Sequence, residues 1–265
     1  VGILIPEAYI LEWQSQAPWQ FDVQIEQDLI LSRMLVEIFN DPLLKNSLLF
    51  RGGTAMTKLY FKDPLRYSED LDFVQKDPGP IKPIVQTIQR LIDPWMGKSS
   101  TQARANGFRI YYHFLPESDP TTPKRIKIEI NTREHFTVYG AVPANYSVDN
   151  RWYSGGAEIS TYSIDELAGT KLRALYQRKK GRDLFDIDRL IGEQMIDHGE
   201  TVKAFQLYLD HQNLRVTQKQ FAANLTEKLT DTTFREDVDS LLVSGTDYDA
   251  DKAYINTMQL VEIIP

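Results

Sequence analysis

The chain has 265 residues, no cysteine and a formal net charge of −7. Its apolar content suits a globular core of one large or two small domains. No apolar run reaches a membrane span and the amino end lacks the pattern of a signal peptide, while the missing cysteines exclude disulfides, thiolate zinc sites and a cysteine nucleophile and fit a cytoplasmic location. The acidic balance gives no sign of a basic surface in bulk, but Arg173, Arg178, Lys179, Lys180 and Arg182 cluster in one short stretch.

Taken in order, residues 1–20 read as a short helix or an extended arm. Phe21 to Phe39 shows helical apolar spacing, with Asp22 as the expected cap and Asn40–Asp41–Pro42 as the stop. Leu48–Leu49–Phe50–Arg51 reads as a short buried strand. A Gly52–Gly53 turn follows, then a helix from about Thr54 to Phe61 that Pro64 ends. Arg66–Tyr67–Ser68 leads into Glu69–Asp70–Leu71–Asp72–Phe73, a second strand. Strand alternation puts Asp70 and Asp72 on one face and Leu71 and Phe73 in the core. Two neighbouring carboxylates repel unless a cation lies between them, and hard oxygen donors suit Mg²⁺. The bare backbone of a glycine turn at a helix start can approach an anion. A phosphate cradle beside such a pair is a layout for phosphoryl or nucleotidyl transfer.

Residues 81–97 read as a helix closed by Gly97, after a turn at Asp77–Pro78–Gly79–Pro80. Residues 107–114 and Arg125–Asn131 are β-rich. The second alternates cleanly, with Ile126, Ile128 and Ile130 on the core face and Lys127, Glu129 and Asn131 on the other. Arg133 to Arg151 reads as loop, with short strands possible around Phe136–Val142 and Trp152–Tyr153. Ser163 and Glu166 read as a capping box opening a helix to about Lys180. A second helix starts near Arg182 or Asp183 and runs to about Ile191. Lys171 and Arg178 share a face of the first helix, as do Asp183 and Asp186 of the second. The remainder is helical: Val202–Leu209, Phe221–Leu229, Phe234–Leu242, and about Asp249 to Glu262 after a turn at Gly245. The four histidines have no ligand spacing, so zinc is not expected.

The phrase FRGGTAMTKLYF followed by RYSEDLDF resembles the AbiEii/AbiGii-type nucleotidyltransferase toxins of bacterial toxin–antitoxin systems, which include the MenT-like toxins. They belong to the DNA polymerase β-like nucleotidyltransferase superfamily. The segment from Glu166 to Asp186 resembles the family again, in which a Lys-x-x-Ala/Arg-Leu helix precedes an Arg-Asp-x-x-Asp helix. The family often has Lys-Asp in its first long helix, where this chain has Gln27–Asp28.

The resemblance implies an α+β polymerase β-like core with a small mixed sheet over residues 1–155, and a helical part over 156–265 closing an active-site cleft. It implies a Mg²⁺- or Mn²⁺-dependent enzyme moving a nucleoside monophosphate from an NTP to an acceptor, with the 3′ end of tRNA as the favoured one. Asp70 and Asp72 would hold the metal, with Glu129 as the candidate third carboxylate. Gly52, Gly53, Thr54 and Lys171 would hold the triphosphate. Asp183 or Asp186 would be the downstream essential acid. The implied protein partner is a cognate antitoxin; some members are countered by a kinase-type antitoxin, for which Thr54 is a candidate target. Two other readings stand beside this one: a non-catalytic nucleotide- or RNA-binding module of the same fold, and a glycosyltransferase using Asp-x-Asp.

Overall fold

The computed structural model describes residues 4–265; residues 1–3 of the expected amino-terminal arm lie outside them. The chain forms two compact units: residues 1–136 with 141–162, and residues 137–140 with 163–265.

The first unit opens with α1 (Glu7–Trp13) and α2 (Asp22–Asn40), then α3 (Pro42–Ser47), β1 (Leu48–Arg51), α4 (Gly52–Leu59), β2 (Asp70–Gln75) and α5 (Lys82–Met96). Five strands complete it: β3 (Ser100–Arg104), β4 (Gly107–Phe114), β5 (Lys124–Asn131), β6 (Ala141–Asn150) and β7 (Tyr153–Tyr162). All seven strands form one mixed sheet in the order β3-β4-β5-β2-β1-β7-β6. β2 lies parallel to β5 and antiparallel to β1, and β1 meets β7 in parallel. α2, α4 and α5 pack on the sheet. The buried side chains of α2 run almost all round it, Ile25, Leu29, Leu31, Met34, Leu35 and Ile38 among them, as expected for a helix enclosed by its unit.

Enclosure forces α2 to pair its polar groups. Asp28 accepts from Trp13 Nε1 at 2.9 Å and from Lys58 Nζ at 2.9 Å, and Lys58 also donates to Ser32. α4 is thus tied to α2 by a buried ion pair, strongly costly to break from one side.

The second unit comprises α6 (Ile164–Gln177), α7 (Gly181–Gly192), α8 (His198–Asp210), α9 (Gln218–Leu229), α10 (Thr232–Arg235), a 3₁₀ turn at Asp239–Leu241 and α11 (Ala250–Val261).

Several sequence expectations need correction. Asp22 is the first residue of α2 and Phe21 is its cap, the Phe21 N–H donating to Gln24 at 3.4 Å. Pro42–Ser47, to which no element was assigned, forms a helix started by the Asp41 carboxylate, which accepts from the Leu43 and Leu44 N–H groups. Of the stretch read as loop, residues 133–140 are irregular as expected, but Ala141–Asn150 is β6, one side of the long β6–β7 hairpin. Ser163 does cap α6, accepting from Glu166 N at 3.3 Å, but no capping box forms. The Glu166 carboxylate accepts instead from the Val138 and Tyr139 N–H groups and from Tyr208 Oη, 2.7 to 3.0 Å away. The single helix expected over Phe234–Leu242 is α10 and the 3₁₀ turn.

Candidate active site

In the first unit, β1 delivers the chain into α4 through Gly52, whose φ of +82° is a left-handed conformation that favours glycine. A Cβ there would come within 2.7 Å of Asp72 Oδ2. The glycine thus lets the helix start and the Asp72 carboxylate lie against each other. A Cβ on Gly53 would run into the Arg66 guanidinium. Arg66 is buried and donates to the Tyr67 carbonyl at 2.9 Å. The Thr54 hydroxyl is turned inward, 2.5 Å from the Asp70 carbonyl and 2.7 Å from Ser68 Oγ, and fastens the first turn of α4 to β2. Gln27 of α2 does similar work, its Nε2 donating to the Glu69 carbonyl at 2.9 Å beside Asp70.

Asp70 and Asp72 start β2 half-buried on one face, while Leu71 and Phe73 are buried on the other. The parallel register sets Asp70 opposite Lys127 and Asp72 opposite Glu129. Lys127 Nζ lies 3.0 Å from Asp70 Oδ2 and 3.0 Å from Glu129 Oε2. Arg109, across β4, grips Glu129 through two nitrogens at 2.9 and 3.1 Å. Arg51, opposite Asp72 on β1, pairs with Glu134 at 2.6 Å.

These contacts separate the carboxylates. Burial, with Asp72 and Glu69 adding repulsion and Lys127 partly relieving it, pushes Asp70 up to about 6. Burial works the same way on Glu129, but Arg109 and Lys127 outweigh it and hold Glu129 below the ordinary glutamate value. Lys127 is itself raised: burial opposes its charge, and Asp70, Asp72 and Glu129 outweigh that.

Among the described residues no group of three or more histidines, cysteines, aspartates or glutamates is arranged to hold a metal. The donor set at Asp70 and Asp72 still fits a divalent ion. It offers hard carboxylate oxygens on one face of β2, half-buried at the start of the strand. Glu129 is instead held by Arg109 and Lys127.

The second predicted constellation lies in the second unit. Lys171 Nζ is 3.0 Å from Asp183 Oδ1 and 3.0 Å from Asp186 Oδ2, all three buried. Arg178 adds two hydrogen bonds to Asp183 at 2.6 and 2.8 Å. Burial would raise the Asp183 carboxyl, but Lys171 and Arg178 outweigh it and hold it far below the usual carboxylate range. Gly181 lets α7 begin in close contact with the Phe234 carbonyl, which a Cβ would strike. The other basic residues of this stretch have partners: Lys179 with Asp231, Lys180 and Arg182 with Asp237, and Arg173 over the Tyr208 ring.

Sequence reading had passed over Arg51, Arg66, Ser68, Arg109 and Lys127. For Lys127 a signal existed, because it alternates onto the same face as Glu129. Arg51 and Arg66 directly flank the two motifs and could have been found as cations beside an acidic pair.

Compared with known proteins, residues 33–256 match the family model described as nucleotidyl transferase AbiEii toxin, type IV toxin–antitoxin system. Among the curated proteins none matches this sequence. Among solved structures, MenT4, a nucleotidyltransferase toxin of Mycobacterium tuberculosis H37Rv, superposes with a TM-score of 0.66 at 15% identity, over 99% of this chain and 91% of that one. JHP933 of Helicobacter pylori superposes with a TM-score of 0.56 at 16% identity, over 92% of each chain. At these identities the likeness is one of fold, and that fold is the mixed α+β nucleotidyltransferase architecture the motifs led one to expect. Among the described residues no helix is long and apolar enough to cross a membrane.

Proposed function

Since the chain belongs to the AbiEii nucleotidyl transferase toxin family, we propose that it transfers a nucleoside monophosphate from an NTP to an acceptor hydroxyl with the aid of Mg²⁺ or Mn²⁺. The observation that carries this reading is the Asp70–Asp72 pair set against the glycine start of α4, with Gly52 kept free of a Cβ where Asp72 Oδ2 lies.

Asp70 and Asp72 would hold the ion, with Glu129 as a third donor once released from Arg109 and Lys127. Bound there, a divalent ion supplies positive charge for the phosphates and for an acceptor oxygen losing its proton. The backbone of Gly52, Gly53 and Thr54 opens a helix and offers N–H groups to the triphosphate. Lys171, fixed in place by Asp183 and Asp186, is the candidate cation for a nucleotide phosphate. Asp183 and Asp186 both remain candidates for the downstream acid; each would serve by orienting that lysine. In the reaction the acceptor oxygen bonds to the α-phosphorus and the bond to the bridging oxygen breaks. Pyrophosphate leaves with the electron pair, and the hydroxyl proton passes to water.

The favoured acceptor is the 3′ end of tRNA, and the partner in the cell a cognate antitoxin. The experiment is incubation with each α-labelled NTP, Mg²⁺ and total tRNA, beside Asp72→Ala. Label on tRNA with the wild type alone is the expected result and identifies the base. Label on protein keeps the chemistry and changes the acceptor. No label on any acceptor, from demonstrably folded protein, returns the chain to the non-catalytic binding-module reading.

A further inference from the structure

The chain is acidic, with 37 Asp and Glu against 30 Lys and Arg, yet three adjacent strands reverse that balance. β3, β4 and β5 carry Arg104, Arg109, Lys124, Arg125 and Lys127 against one acid, Glu129. Alternation sorts them. Ile110, Tyr112, Phe114, Ile126, Ile128 and Ile130 are buried on one face. Arg109, Tyr111, His113, Arg125, Lys127 and Glu129 therefore point to the other.

The register then orders this face. Asp70 stands beside Lys127, which stands beside Tyr111, which stands beside Ser100. Asp72, Glu129, Arg109 and Gln102 form the row on one side of it, and Arg125 with His113 lies on the other side. Every residue of β3 is exposed, Arg104 included, as are Arg125 and His113. The face thus runs from the aspartate pair to the sheet edge across three strand spacings, roughly 14 Å. Its one acid is already held by Arg109 and Lys127. Its aromatic centre, Tyr111, is partly open, with the Arg125 guanidinium 4.9 Å from the ring centroid and its hydroxyl donating to Gln102 at 3.3 Å.

A cationic strip with an aromatic platform fits a flexible polyanion whose bases can stack: single-stranded nucleic acid rather than a folded protein surface. We propose that the outer face of β3, β4 and β5, through Arg104, Arg109, Tyr111 and Arg125, receives the single-stranded 3′ end of an RNA acceptor and leads its terminal hydroxyl toward Asp70 and Asp72. This rests on the nucleotidyl-transfer reading above and adds where the acceptor lies.

The test uses the full chain and a 5′-fluorescein ten-nucleotide oligoadenylate with a free 3′ hydroxyl, followed by anisotropy across a salt series. Arg104→Glu combined with Arg125→Glu is expected to weaken binding tenfold or more. Two lost phosphate contacts also lower the slope of log K against log salt by roughly 1.4. Tyr111→Leu is expected to weaken binding about tenfold with the slope unchanged, since stacking is not ionic. Thermal melting and NTP binding by the same variants report on the fold and the nucleotide site, and both should match the wild type. Wild-type affinity and slope in the double variant would overturn the proposal while label transfer to RNA, measured in parallel, still upheld the transferase. Failure of the wild type to bind the probe while it labels a protein would overturn it as well. Absence of transfer to any acceptor would instead sink the transferase reading and reduce this face to an RNA-binding surface without an active site, which also overturns the proposal.

Discussion

Lys127 Nζ lies 3.0 Å from Asp70 and 3.0 Å from Glu129, so a side-chain cation already stands between two of the three carboxylates expected to bind metal. Lys127→Met should remove that competing charge. One unit charge at a half-exposed site is worth about 1 kcal/mol or somewhat more. Mn²⁺ affinity, followed by electron paramagnetic resonance of the free ion, should therefore rise several-fold. An unchanged or weaker affinity would mean that the lysine organises the carboxylates rather than opposing the ion.

Gly52 carries two constraints at once, a φ of +82° and the nearness of Asp72 Oδ2. Gly52→Ala should cost about 1–2 kcal/mol from the left-handed backbone alone. It should also push the Asp72 carboxylate aside, so Mn²⁺ binding and label transfer fall together. A variant that loses stability but keeps full Mn²⁺ affinity would show that Asp72 is not held by this contact.

Asp183 and Asp186 both reach Lys171, but Arg178 binds Asp183 as well. Asp183→Ala leaves two cations short of a partner and should lower the unfolding free energy by about 3–5 kcal/mol. Asp186→Ala should cost less, about 1–3 kcal/mol, as read by urea denaturation at pH 7. Because the folded state holds the Asp183 carboxyl well below its unfolded value, its contribution is complete above about pH 4. It falls away as the pH drops further, so the gap between wild type and Asp183→Ala should narrow in acid.

Glu26 of α2 is buried, accepts from the Glu117 N–H at 3.0 Å, and has an Oε1 that meets no donor among the described residues. Burial, only partly countered by that hydrogen bond, pushes its carboxyl up to about 7. The folded state thus holds a proton that the unfolded state releases from about pH 4.5. Stability should decline as the pH rises from there to about 7, by up to about 3 kcal/mol. Glu26→Gln should flatten this part of the profile. Equal slopes for wild type and variant in thermal melts at pH 5 and pH 8 would remove Glu26 from the account.

Much of this was legible before any fold was known. The period of α2, the alternation of β5 and the Asp-x-Asp after a glycine pair are local patterns, and local sterics and burial express them directly. β3 left no trace because none of its residues is buried, so no apolar period could form. The β6–β7 hairpin was obscured for a related reason: both strands are largely exposed or half-exposed and carry Pro143, Gly155 and Gly156.

By itself, then, the sequence determined the two motifs, the kind of fold that carries them and the family to which the chain belongs. Only the tertiary structure decided which charges stand together. Lys127 reaches Asp70 because β2 and β5, more than fifty residues apart, pair in parallel with that one register. Arg109 reaches Glu129 through the next pairing, and Asp183 takes Arg178 as well as Lys171 because α6 ends and α7 turns back at Gly181. A charged side chain on a strand does not carry its partner in its own sequence neighbourhood; hydrogen-bond register across the sheet chooses that partner, and register is a property of the whole sheet.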